Sequence, residues 1–175
     1  MNILQVYKFP HPLLKLKSRL VTRFDGRLKQ LAQDMLTTMY KERGVGLAAV
    51  QVGKPQRLLV MDLTNDLPRE QGSTLRREPR IYVNPELLHT EGEITTREGC
   101  LSVEGYTTDI RRASRVIVRY QDTGGRLMKE TLEGLAAVCL QHEMDHLEGR
   151  LFIDRLSPVK SRMVKKRLSR QARPA

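Results

Sequence analysis

Residues 133–149 read EGLAAVCLQHEMDHLEG, and inside them stands H-E-x-x-H: His142, Glu143, Met144, Asp145, His146. On a helix, residues four apart lie one turn above each other on the same face. Two imidazole nitrogens are thereby set where one divalent cation can take both, with Glu143 beside them as a general base. Leu135, Ala136, Val138, Cys139, Leu140 and Met144 make the segment apolar on several sides. The pattern predicts a buried helix over 133–149 closed by Gly149. Two histidines and a glutamate in such surroundings are unfavourable unless something compensates them, and a metal does so most simply.

A hydrolytic metal site takes three protein ligands and keeps one position open, so a third ligand is required. The extension H-E-x-x-H-x-x-G-x-x-H fails, because residue 152 is Phe, and no acid follows Asp154 to serve as a downstream glutamate ligand. The upstream candidates are His11, His89, Cys100 and Cys139. Cys139 shares a helical face with both histidines, but the metal should sit about 7–8 Å further along the axis at 1.5 Å per residue. That is more than a cysteine side chain and a metal–sulfur bond of about 2.3 Å can span. Cys139 reads as a small core residue, and His11 and His89 stand in segments without other catalytic signals. Cys100 lies in EGCLS, where Gly99 permits close backbone approach and strand-like neighbours can hold the sulfur rigidly. Its thiolate completes a Cys-His-His site most economically.

Working outward, Leu28, Leu31, Ala32, Met35, Leu36, Met39 and Tyr40 form a helical stripe within 24–44, ending at Gly44. GVGLAAVQVG (44–53) follows, then a strand-like RLLVMDL (57–63). GVGLAA is not a dinucleotide fingerprint, since that motif follows a strand and opens a helix, the reverse of the order here. It brings backbone close to something and leads to Gln51, whose amide can donate to a developing oxyanion. Residues 64–79 read as a surface loop, 80–89 and 91–105 as short strands, and 114–134 as a hairpin turning near Asp122–Gly125 with Val116, Val118 and Tyr120 on one face. Ser157-Pro158 opens a terminal helix. The predicted fold is α+β: short antiparallel sheets around a buried central helix carrying H-E-x-x-H, with an N-terminal helix and a basic C-terminal helix. Residues 1–156 read as the metallohydrolase domain and 157–175 as the basic tail.

The chain's 175 residues suffice for one domain with a sizeable core. It has no Trp and few aromatics, which argues against a base-stacking surface for single strands. No signal pattern or membrane-length apolar run is present, and two cysteines without a secretory signal suggest reduced thiols. The expectation is a cytoplasmic protein with neither membrane nor DNA as partner. Of the net charge of +11, residues 155–175 carry eight Lys/Arg and no acid. Few apolar anchors accompany them (Val159, Met163, Val164, Leu168), so the tail reads as a solvated or polyanion-binding element.

GVGLAAVQ (44–51), EGCLS (98–102) and QHEMDH (141–146), in this order and spacing, resemble the three signature motifs of bacterial peptide deformylases. The likeness runs from ILQVYKFPHPLL at the N-terminus to the basic DRLSPVK tail of the long-tailed branch. It implies Cys100, His142 and His146 as metal ligands and Glu143 as catalytic acid/base. It implies the Gln51 side chain and the Leu101 backbone N–H as oxyanion donors, and Gly46 and Val45 along the bound peptide. It further implies Fe(II) in the cell, with Ni, Co or Zn as substitutes. The implied activity is hydrolysis of the formyl group from N-formylmethionyl nascent chains, with metal-activated water as nucleophile, at a ribosome docked by the tail. Val50 and Glu104 stand where many members have proline, and Thr107 where some carry arginine; none is a ligand or proton carrier. Two rival readings are another metallo-endopeptidase, and a ribosome-binding module whose metal is closed by both Cys100 and Cys139.

Overall fold

The computed structural model describes residues 2–66 and 77–171. The segment expected as a loop over 64–79 therefore lies largely outside the described residues. Helix α1 spans Gly26–Lys41 and opens on Asp25, whose carboxylate accepts from the N–H groups of Arg27 (2.9 Å) and Leu28 (3.2 Å). Those bonds satisfy donors that a helix start leaves open. Leu28, Ala32, Met35, Leu36 and Met39 are buried, as their period-3.6 spacing requires. The helix ends before Gly44: Arg43, at φ 57, takes the left-handed position, and Gly44 N–H closes back on Met39 C=O at 2.9 Å. Gly44 is spent on another contact, since a Cβ there would fall 2.7 Å from Leu101 Cδ1.

Strands β1 (Gly46–Ala48), β2 (Leu58–Met61), β3 (Arg80–Glu91), β6 (Arg115–Gln121) and β7 (Leu127–Glu133) form one antiparallel sheet in the order β1-β2-β3-β6-β7. Strands β4 (Ile94–Cys100) and β5 (Val103–Arg112) form a separate hairpin. Two sequence expectations need correction here. The strand expected at 80–89 is a 12-residue strand whose pairing with β6 shifts register at two irregularities, between Val83 and Glu86 and between Leu87 and His89. The stretch 91–105 is two strands with a tight turn at Leu101–Ser102, and the second runs on to Arg112. From Thr107 onward the second strand alternates, with Thr108, Ile110 and Arg112 buried and Thr107, Asp109 and Arg111 exposed.

Helix α2 (Gly134–Leu147) lies between the two sheets, and Gly149 at φ 69 follows it. Ala137, Leu140 and Leu147 pack with Leu59, Met61, Tyr82, Val116, Val118 and Leu132 of the large sheet. Gln141 latches the helix to the β5–β6 turn: its Nε2 donates to Ala113 C=O (2.9 Å) and its Oε1 accepts from Ala113 N–H (3.1 Å). Helix α3 (Pro158–Gln171) starts where Ser157-Pro158 predicted. It is not free of the body, because Leu168 is buried and Val164 half-buried against Val103, Ile110, Leu151, Phe152 and Ile153. Of the four apolar anchors read in the tail, these two, four residues apart on one face, dock on the body, while Val159 and Met163 are exposed.

Candidate active site

His142 and His146 sit one turn apart on α2 with ring centroids 5.1 Å apart. Cys100 reaches them from the end of β4, where the register slips between Glu98 and Cys100. Such an irregularity re-aims side chains, and Glu98 and Cys100, two apart on a strand, both face α2. Cys100 Sγ lies 3.3 Å from His146 Nε2, and one ligand atom from each of Cys100, His142 and His146 falls within 4.8 Å of the others. Bonds of about 2.0–2.3 Å in a tetrahedral arrangement put ligand atoms roughly 3.5 Å apart, so the three fit one divalent ion. Cys139 is elsewhere: its thiol points to Val45 C=O at 3.6 Å, and burial pushes its pKa well up, as for an inert core thiol. His11 caps the turn at Pro12–Lys15, and His89 is exposed on β3.

Sequence reasoning missed what orients the ligands. Glu98 accepts at 2.8 Å from His142 Nδ1, leaving Nε2 for the site, and the ring stacks on Phe152 with centroids 5.9 Å apart. Glu98 also receives Arg112 in a two-pronged pair, one prong at 2.9 Å, and Arg112 donates to Asp145 at 2.9 Å. Asp145 takes a second two-pronged arginine, Arg155. Burial works against a charged Glu98, but the hydrogen bond from His142 and the Arg112 guanidinium outweigh it and hold the carboxyl at about 2. The two imidazoles, His142 and His146, diverge. Burial opposes charge on both, but Cys100 and Glu98 raise His142 well above its ordinary value, while His142 and Arg112 help keep His146 well below. A cation taking both nitrogens and the thiolate replaces this conflict with a single charge.

Glu143 lies against Gly46, where a Cβ would fall 2.9 Å from Glu143 Cδ and nearer still to its Oε1. Burial raises the Glu143 carboxyl to about 7 against the pull of His142 and Arg112, and its Oε2 is buried without a hydrogen-bond partner. A carboxylate so placed can accept and return a proton near neutral pH. Gln51 is buried and fixed at both ends: Oε1 accepts from Ala48 N–H at 2.7 Å, and Nε2 donates to Ser102 Oγ at 3.1 Å with Cys100 Sγ 3.7 Å away. Leu101 C=O accepts from Lys8 Nζ at 2.8 Å, which steadies the turn carrying the Leu101 N–H.

Gly46, Gln51, Cys100, Leu101, His142 and Glu143 line a cavity of about 630 Å³, the size of a small-ligand cleft. Its walls are two strand edges, since β1 pairs only with β2 and β4 only with β5 among the described residues. Asp62 N–H bonds Val45 C=O at 2.8 Å, so Gly46, one residue on, turns its own N–H and C=O to the unpaired edge. Leu63, Leu135, Val138 and Cys139 supply an apolar side. Of the three departures, Val50 is fully buried in the core, Glu104 pairs with Lys8 at 2.7 Å, and Thr107 is exposed on β5.

Residues 3–162 match the family model described as polypeptide deformylase. The chain is 47% identical over 173 residues to a peptide deformylase of Zymomonas mobilis, covering 98% of this chain and 96% of that protein. Its fold is similar to the crystal structure of a peptide deformylase from Legionella pneumophila, with TM-score 0.85, 41% identity and 99% of each chain covered. It is similar as well to that of a peptide deformylase from Ehrlichia chaffeensis in complex with actinonin, with TM-score 0.87, 36% identity, and 99% of this chain and 100% of that one covered.

Proposed function

The chain belongs to the polypeptide deformylase family, and we propose that the Cys100, His142, His146 and Glu143 constellation is where it acts. It is a metal-dependent hydrolase that removes the formyl group from the N-terminus of nascent peptides and releases formate. The observation that carries the site assignment is the convergence of one sulfur and two imidazoles within 4.8 Å on a cleft that Glu143 also lines.

Cys100, His142 and His146 hold one divalent ion, Fe(II) in the cell, with Ni, Co or Zn as substitutes. When bound, the ion supplies a Lewis acid that makes water more acidic and draws charge from the formyl oxygen. Glu143 takes the proton of the attacking water and passes it to the departing methionine nitrogen. Gln51 Nε2 and the Leu101 N–H donate to the oxygen on which charge gathers. Gly46 and Val45 align the peptide as an added strand between β1 and β4. The apolar side formed by Leu63, Leu135, Val138 and Cys139 receives the methionine side chain. A formyl carbon carries no side chain, which suits a narrow floor and disfavours internal peptide bonds.

Residues 1–156 form the metallohydrolase domain and 157–175 a basic element for the ribosome in the cytoplasm. Lys160, Arg162, Lys166, Arg167 and Arg170 are exposed on α3, a charge display suited to RNA phosphate. No helix among the described residues is long and apolar enough to cross a membrane. A formate-release assay on formyl-Met-Ala, with metal analysis of the same sample, tests the reading. Formate in step with metal content supports it; casein digestion without formate would replace it with an endopeptidase.

A further inference from the structure

Two arginines stand on the cleft walls without an ion-pair partner among the described residues. Arg43 precedes β1 on one wall and Arg97 lies in β4 on the other, and both are exposed. Among the described residues Arg43 and Arg97 form no ion pair, as is also true of arginines away from the cleft such as Arg23, Arg126 and Arg150; what sets the two apart is their place on the cleft walls. Arg97 is tethered instead to a neutral group: its Nε donates to Thr107 Oγ1 at 3.0 Å. That bond holds the guanidinium on the wall, and Asp109, its cross-strand neighbour on β5, forms no ion pair with it. Arg43 occupies a left-handed backbone position at φ 57, where a residue without a branched or bulky side chain is the usual occupant.

The acids of the cleft do not cancel this charge. Glu98 is buried and committed to Arg112 and His142. Glu143 lies beneath Gly46, and Glu42, the exposed neighbour of Arg43, forms no ion pair with it. The mouth therefore carries two arginines outside any ion pair, above a floor where Glu98 is engaged and Glu143 is buried.

On the deformylase reading, on which this inference rests, the formyl-methionine end lies at the floor and the chain leaves between β1 and β4. Successive side chains of an extended peptide point to opposite sides, about 3.3 Å apart along the strand. The second and third residues then pass the two arginine-bearing walls. We propose that Arg43 and Arg97 make the cleft selective for nascent chains carrying Asp or Glu at the second or third residue, by charge-assisted contact with that carboxylate.

The test compares kcat/KM for formyl-Met-Glu-Ser, formyl-Met-Lys-Ser, formyl-Met-Ser-Glu and formyl-Met-Ser-Lys, with formyl-Met-Ala as the uncharged reference. The wild-type enzyme should favour the acidic member of at least one pair by about fivefold at low salt, the scale of one or two exposed charge contacts. The preference should lie mainly in KM and shrink towards unity near 1 M salt. The Arg43→Glu/Arg97→Glu double variant should invert the ratio, and Arg43→Gln/Arg97→Gln should abolish it. Turnover of formyl-Met-Ala with a charge ratio of one, or with a ratio unchanged by salt and by both double variants, overturns the inference and leaves the deformylase reading standing. No formate from any of the five peptides overturns both.

Discussion

A methyl group on Gly46 would have to displace Glu143, whose Cδ lies 2.9 Å from where that carbon would stand. Gly46→Ala should accordingly leave metal content unchanged and lower kcat by about a hundredfold, the order expected when a reacting group moves by about 1 Å. Glu143→Ala should keep the metal and lose nearly all turnover, because it removes a proton carrier and no ligand. A Glu143→Ala protein that lost its metal would place the carboxylate among the ligands instead. Gln51→Ala should reduce kcat roughly a hundredfold or more, as removal of an oxyanion donor does. Wild-type turnover from that variant would show the amide serving only its bonds to Ala48 and Ser102. At this scale the sequence was informative where chemistry fixes spacing, as in His142 and His146 at i and i+4. It could not show why Gly46 is glycine, since the reason lies 97 positions away at Glu143.

The helix α2 announced itself through its period, but the charges that steady it did not. Arg112 meets Glu98 across 14 positions and Asp145 across 33, and Glu98 meets His142 across 44. No local pattern encodes such pairings. Part of β5 escaped notice for a related reason: its buried members include Thr108 and Arg112, polar residues that look exposed until their partners are known. Arg112→Met should destabilise the fold by roughly 3–5 kcal/mol in denaturant unfolding, because it removes the buried cation that Glu98 and Asp145 share. Glu98→Gln should weaken metal binding about 10- to 100-fold, the usual effect of losing a group that orients a ligand. The sign of its pH effect follows from a pKa held at about 2 against the ordinary 4.5. Stability from this carboxylate is present above 4.5 and lost as pH falls from there towards 2. The acid limb of a Tm-against-pH curve should therefore be shallower in Glu98→Gln; an unchanged limb would mean the pair adds nothing to folding. On α3, replacing Lys160, Arg162, Lys166, Arg167 and Arg170 by Ser should weaken salt-sensitive co-sedimentation with ribosomes. Substitution is a cleaner probe than truncation, because removing the helix would also uncover Phe152, which stacks on His142.

Two sheets converge on one helix, and the cleft opens where each sheet leaves an edge unpaired among the described residues. The α+β architecture and three of the motif positions could be read in advance; the long β3, the β4–β5 hairpin and the docking of α3 required the tertiary contacts themselves. The central claim is that a cysteine from the small hairpin and two histidines from the helix hold the ion that activity needs. Metal stoichiometry and formate release, measured together on the wild type, Cys100→Ser and Cys139→Ala, test it most directly. One ion per chain with full activity in the wild type, near-complete loss of both in Cys100→Ser, and retention of both in Cys139→Ala is the predicted result. Equal metal loss from the two cysteine variants, or an active Cys100→Ser protein with its ion in place, would contradict it.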